Sequence, residues 1–242
     1  MVLLPFAYAG LLLRGAHWRA AAALALLLLF YPVTLTKLTL FAPFWLLFLT
    51  LLSRRCEIRM AVVLSLAVPI AIGVILATLF KAHILTYEAS ITFFGAINFR
   101  MIAVPSLAID IYNDFFATHP ATLFCQISVL KALVACPYAE PLALLMTDNY
   151  QLGNLNASLF ATEGVASVGA AFAPVAALAC GLVIALANRA SAGLPARFIL
   201  LSSAMLVQVL INIPLTIALV TYGGALLFLL WYVTPRSIFG EK

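Results

Sequence analysis

Three groups of polar residues stand out in this chain because their types and spacing suit chemistry in an apolar setting. The first is Arg100, at the middle of the stretch ITFFGAINFRMIAVPSLAIDIYNDFF. An arginine at the centre of an apolar run costs at least about 2.5–3.5 kcal/mol on insertion, so it needs a water-filled cavity or a partner. A planar, permanently charged guanidinium holds phosphate or diphosphate by paired hydrogen bonds. The plainer alternative is an arginine that snorkels from an interfacial helix or pairs with Asp110 or Glu88. The second group, IDIYNDFFATHP, sets Asp110 and Asp114 four apart, hence on one helical face, with Tyr112 and Asn113 between them. Carboxylates so placed can hold a sugar hydroxyl or act as a general base, and the aromatics suit either a sugar ring or an interfacial belt. His119, before Pro120, reads as a helix cap.

The third group is YQLGNLNASLFATEGVASVGAAFAP. Asn154 and Asn156 precede an apolar run and can cap its helix, whose N-terminal N–H groups favour phosphate. Glu163 enters that run beside Thr162, and a carboxylate about one turn inside a span is a functional candidate by default. The small residues Gly164, Ala166, Ser167, Gly169 and Ala170 permit close approach of a neighbouring helix or lipid chain, so helix packing with capping is the competing account. Asn156-Ala157-Ser158 also matches the N-glycosylation pattern.

Metal and disulfide chemistry have little sequence support. The 3 histidines are scattered, and there is no CxxC or HExxH pattern. Cys125 and Cys136 are 11 apart, which on one continuous helix is about 16 Å, too far to bond. No metal and no cofactor are expected.

The elements that must position these residues follow from composition. Of 242 residues, 66% are hydrophobic and 9% charged, and the mean hydropathy is +1.17. No globular core of this length hides so much apolar side chain, which excludes a soluble protein. Unbroken apolar runs exclude an outer-membrane barrel. The fold class is therefore all-α: a polytopic integral membrane protein of about six to seven transmembrane helices. The net charge of +5 concerns orientation in the membrane, and no nucleic acid partner is implied.

The chain opens on only about twelve apolar residues, too few for a span, as if the tail of a longer helix had been cut. Runs follow at about 20–32, 38–52 and 60–80, then at about 159–187, 198–212 and 216–233. A single helix over 198–233 would be about 54 Å long, so Asn212, Pro214 and Thr216 mark a turn between two short spans. The chain reads as one membrane domain: N-terminal spans in 1–80, a long outer segment with interfacial or re-entrant helices in 81–158, and C-terminal spans in 159–242. With alternating loops, nine basic and two acidic residues fall on one side and four basic and six acidic on the other. The positive-inside rule assigns the first side to the cytoplasm.

These clusters, in this order, resemble the Wzy-type O-antigen polymerases, which join bacterial oligosaccharide repeat units. The resemblance covers about half the chain. It rests on Arg100 and Pro105 with the Tyr-x-x-Phe-Phe block of Tyr112, Phe115 and Phe116, and on Pro137-Tyr138. It continues in Gly153, Asn154, Asn156 and Ala157 with Ala161, Thr162 and Gly164, and in a terminal helix pair broken near Asn212 with Gly223-Gly224. Family members are commonly longer, with additional N-terminal spans.

The resemblance implies a metal-independent glycosyltransferase in the bacterial cytoplasmic (inner) membrane that works on the outer, periplasmic face. Its substrate would be an oligosaccharide on polyprenyl diphosphate, and its product O-antigen, capsule or exopolysaccharide. Arg100 would compensate the diphosphate. Glu163 or Asp114 would activate the acceptor hydroxyl, and Asn154, Asn156, Tyr112, Tyr138 and Asp110 would bind substrate. A chain-length regulator and a flippase are the implied protein partners, with the lipid bilayer around them. Two other readings remain: a transporter of lipid-linked sugars, whose repeated, interrupted halves are not evident here, and a non-catalytic membrane assembly protein.

Overall fold

A computed structural model of the chain describes residues 2–84, 86, 88, 104–125, 135–151 and 161–239. Arg100, Asn154 and Asn156 lie outside the described residues, as do the part of the stretch ITFFGAINFRMIAVPSLAIDIYNDFF before residue 104 and the glycosylation pattern. Every regular element among the described residues is helical, and none is a strand.

The N-terminal helices are α1 (Leu3–Leu13), α2 (His17–Leu29), α3 (Tyr31–Thr34), α4 (Lys37–Arg55) and α5 (Ile58–Lys81). Next come α6 (Val104–Thr118), α7 (Leu142–Tyr150) and α8 (Ala161–Val168). The C-terminal part holds α9 (Ala173–Ala190), α10 (Ala196–Asn212), α11 (Leu215–Val220) and α12 (Gly224–Val233), then a short 3₁₀ turn at Arg236–Phe239. Four stretches are long and apolar enough to cross a membrane: His17–Thr34, Leu38–Arg55, Ile58–Lys81 and Ala173–Ala190. Their outward faces agree with that assignment. Along α9, Val175 (63% exposed), Leu178 (64%), Leu182 (60%) and Leu186 (65%) form one uncovered stripe at helical spacing. So large an apolar strip calls for lipid against it. The protein is an all-helical one with the character of a membrane protein.

Two apolar runs expected to be single spans are broken by glycine. The run at 159–187 divides at Gly169, whose φ of +79° ends α8 in the left-handed region. Its N–H bonds the carbonyl of Val165 at 3.0 Å. Glu163 thus belongs to a separate eight-residue helix and not to the first turn of a span. The run at 216–233 divides likewise at Gly223, φ +82°, so the break near Asn212 separates α10 from two helices instead of one. Both glycines sit in stretches of high hydropathy interrupted only by neutral residues such as Ser167, Thr221 and Tyr222, so charge and hydropathy carry no sign of a backbone reversal.

The chain forms two compact units. The first comprises Met1–Val68, Leu186–Gln208 and Leu219–Lys242. Its helices are fastened by polar pairs between distant segments: Tyr8 Oη and Thr50 Oγ1 at 2.7 Å, and Trp231 Nε1 donating to Ser202 Oγ at 2.9 Å. Phe198, 1% exposed, is a hub whose ring meets Phe6 at 5.1 Å and Phe239 at 4.7 Å. Beside it the Arg197 guanidinium donates to the carbonyl of Ser53. Arg236 donates twice to the carbonyl of Ala192, at 3.1 and 2.7 Å.

The second unit comprises Pro69–Ala185 and Val209–Ala218. In α6 the buried residues Val104, Ala108, Ile111, Tyr112 and Phe115 recur at helical spacing and pack with Met146 of α7 and with Val165 and Ala166 of α8. Gly164 lets α8 close on α9: a Cβ there would lie 3.0 Å from Ala176 Cβ and 3.1 Å from Ala173 Cα. Cys125 and Cys136 are joined as a disulfide with a Cα–Cα distance of 5.2 Å. This corrects the expectation that they are too far apart. That expectation assumed one continuous helix, whereas Leu123 and Phe124 have φ of +50° and +61° and Cys125 closes a turn, its N–H on the carbonyl of Thr122 at 3.0 Å.

Candidate functional site

Glu163 is the acidic residue of the first turn of α8. Its Oε1 accepts a hydrogen bond of 3.0 Å from Thr216 Oγ1, a residue placed by the Ile213-Pro214 break before α11. The carboxyl is partly buried. Loss of water pushes its pKa above the usual glutamate range, and the Thr216 hydroxyl pulls it part of the way back. Around it lies a cleft of about 90 Å³ lined by Tyr112, Thr122, Pro141, Leu142, Ala143, Thr162, Ser167, Pro214, Thr216 and Ile217 as well as Glu163. Tyr112, 5% exposed, presents a phenol that burial keeps protonated well past its usual range.

The opposite wall is built by backbone pairing between a loop and α8. Thr122 N–H donates to the carbonyl of Ala166 at 2.8 Å, and Leu123 N–H to that of Ser167 at 3.2 Å. The side chains of Thr122 and Ser167 meet at 3.1 Å between their hydroxyl oxygens. Two backbone bonds and one hydroxyl pair thus hold the Thr122 wall against the helix that carries Glu163, and the disulfide ties the end of this loop, at Cys125, to Cys136.

The chemistry open to such a site is specific. A cleft of about 90 Å³ has room for several waters, and hence for at least the hydroxyl-bearing edge of a ligand. A carboxyl with a raised pKa in a largely apolar cleft, next to hydroxyl groups, is suited to taking a proton from an incoming hydroxyl.

Sequence reasoning placed several other residues near chemistry, and the structure separates them. Asp114 is exposed and accepts a 2.6 Å hydrogen bond from Tyr150 Oη, which raises the tyrosine's pKa. Asp110 shares its helix face and is also exposed. Neither carboxylate lines the cleft around Glu163. Tyr138 Oη donates to the carbonyl of Pro120 at 2.8 Å, and its ring lies about 6 Å from those of Phe115 and Phe116, at 6.1 and 6.0 Å. His119 stacks on Phe115 at 3.9 Å, and its Nδ1 lies 2.9 Å from that residue's carbonyl, at the C-terminal end of α6. Tyr112 and Glu163 are the two candidate residues that the described structure brings to one cleft.

Thr216, the Thr122–Ser167 pair and the Tyr150–Asp114 pair were not identifiable from sequence. Each joins residues between 36 and 53 positions apart, and no local spacing encodes such meetings. Among the described residues, no group of three His, Cys, Asp or Glu side chains gathers in a way that fits a metal ion. Comparison with protein-family models, with curated proteins and with solved structures gives no match.

Proposed function

We propose that the protein is a membrane glycosyltransferase that polymerises oligosaccharide repeat units carried on polyprenyl diphosphate. In this reading Glu163 accepts the proton of the acceptor hydroxyl. That oxygen bonds to the anomeric carbon of the donor, the bond from that carbon to the diphosphate breaks, and the lipid diphosphate departs with the electron pair. Arg100, by its place in the sequence, is assigned to the diphosphate, with Asn154 and Asn156 on phosphate or sugar hydroxyls.

The observation that carries the reading is convergence on one cleft. Tyr112 comes from the Tyr-x-x-Phe-Phe block, Thr162 and Glu163 from the Ala-Thr-x-Gly piece, and Pro214 and Thr216 from the broken terminal helices. These three pieces of the family resemblance are far apart in sequence.

The same proposal gives the chain about six to seven spans in a bacterial cytoplasmic membrane, with 81–158 on the periplasmic face. The Cys125–Cys136 disulfide within that segment supports this side, because disulfides persist in the oxidising periplasm and are rare in the cytosol.

The test uses a host whose surface polysaccharide depends on this protein. Glu163→Gln and Arg100→Ala are each expected to leave single repeat units on lipid in place of a chain-length ladder, with the protein still present in the membrane fraction. An unchanged ladder in both variants rejects the catalytic assignment.

A further inference from the structure

The first unit carries a surface that the proposed reaction does not use. Four chain corners meet at one end of it. The α4–α5 corner is tied to the start of α10 by Arg197 on the Ser53 carbonyl. The α9–α10 turn is tied to the C-terminal 3₁₀ turn by Arg236 on the Ala192 carbonyl. The last turn of α1 meets the same hub, with Gly10 only 3.8 Å from the Phe198 ring when a Cβ is built on it. Around this end stand Arg14, Arg19, Arg54, Arg55, Arg59 and Arg189, all exposed. Glu57 is the one acidic side chain among the described residues of these corners.

Among the described residues, no ion pair engages these six exposed guanidinium groups, and the orientation rule that gathers basic residues on one side does not say what they meet there. Arg19 lies in the first turn of α2, which contains no acidic residue, and Arg59 in that of α5, where Glu57 stands just before the helix. A positive charge there opposes the helix dipole, so the position of Arg19 in particular favours an anion supplied from outside. The neighbouring side chains indicate what carries that anion. Arg59 is followed by Met60, Val62 and Val63, each about half exposed at 50%, 45% and 56%, at the start of the longest apolar helix. Arg189 ends the uncovered stripe of α9 that reaches Leu186. Trp18, between His17 and Arg19, is 85% exposed, and tryptophan concentrates where hydrocarbon meets headgroups. Guanidinium groups thus stand at the edge of surfaces that need lipid.

We propose that this arginine-rich end of the first unit is a binding surface for the phosphodiester headgroups of anionic phospholipids. Arginine engages such groups in bidentate fashion, and a basic cluster beside a membrane helix draws anionic lipid to it. The inference is independent of the glycosyltransferase reading.

The test measures the thermal unfolding midpoint of the full chain purified in an uncharged detergent. Added dioleoylphosphatidylglycerol is expected to raise Tm by about 2–4 °C, while dioleoylphosphatidylcholine and inorganic phosphate leave it unchanged. High salt is expected to remove the shift. The combined variant Arg54→Gln, Arg55→Gln, Arg59→Gln is expected to lose more than half of it, and the matching lysine variant to keep most. Equal shifts with the two lipids, a shift reproduced by free phosphate, or a shift indifferent to salt would each overturn the proposal. The salt and lipid comparisons need only the natural protein, so failure of the glutamine variant to fold does not remove the test.

Discussion

The two units handle charge in opposite ways. The first contains ten basic and two acidic residues, a net of +8, whereas the second contains three basic and six acidic, a net of −3. In the first, Arg197 and Arg236 donate to backbone carbonyls and act as clasps between segments. In the second, the one carboxyl drawn into a cleft meets a threonine hydroxyl and no cation among the described residues. A guanidinium on a carbonyl satisfies a backbone acceptor and stays charged. A carboxyl stripped of water and given no cation keeps its proton to higher pH, although the threonine hydroxyl pulls partly the other way. Charged clasps belong to the first unit, and the second holds the carboxyl to which the proposed reaction assigns the proton transfer.

That contrast can be broken most directly by exchanging one residue from each unit. Glu163→Gln is expected to lower polymer formation by about 10²-fold or more, the scale of a lost general base. Arg197→Gln is expected to lower stability and leave the reaction rate per folded molecule alone. Single-turnover product analysis on membranes normalised for protein content separates the two, and equal losses of rate in both would erase the distinction.

A structural change confined to the second unit comes next. Cys125→Ser with Cys136→Ser is expected to destabilise it by about 2–3 kcal/mol, as expected for a short closed loop. The fall in Tm in detergent would match that produced by reductant on the natural protein. Gly164→Val forces a side chain into the space already taken by Ala173 and Ala176. It is expected to cost about 1–3 kcal/mol and to impair the cleft without touching a lining residue. Measuring Tm and polymer length together reveals whether the two effects move in step.

The pH dependence is finer. Because burial raises the folded pKa of Glu163, the folded state binds the proton more tightly than the unfolded one. Its contribution to stability is fully present below the unfolded pKa and is lost as pH rises from the ordinary glutamate range through the folded value. Glu163→Gln is therefore expected to flatten this part of the Tm–pH curve and to gain on the natural protein at neutral pH. The smallest effect belongs to Arg236→Ala, an exposed clasp on the Ala192 carbonyl. About 1 kcal/mol is expected there, read from chemical or thermal unfolding.

Much of the architecture was legible because lipid imposes simple rules. Apolar runs at 20–32, 38–52 and 60–80 became α2, α4 and α5 with ends shifted by a few residues. The breaks at Gly169 and Gly223 were not legible, since a left-handed glycine inside an apolar stretch changes neither hydropathy nor charge. Glu163 could be singled out because a carboxylate in such a stretch is costly. Its partner Thr216 could not, since a threonine near a proline is ordinary and the 53-residue separation is set by tertiary packing. The cysteines show the same limit from the other side: the distance argument was sound for a helix, and the chain there is a turn.

The turn that brings Cys125 to Cys136 also has a bearing on how the molecule is made. The loop that carries Thr122 ends in a bond that needs an oxidant, so a ribosome-fresh chain in reducing surroundings carries this loop unfastened at Cys125. In the orientation proposed above, a copy inserted the wrong way round would keep both thiols. Under that proposal, the thiol state of two cysteines becomes a record of whether each molecule was threaded correctly.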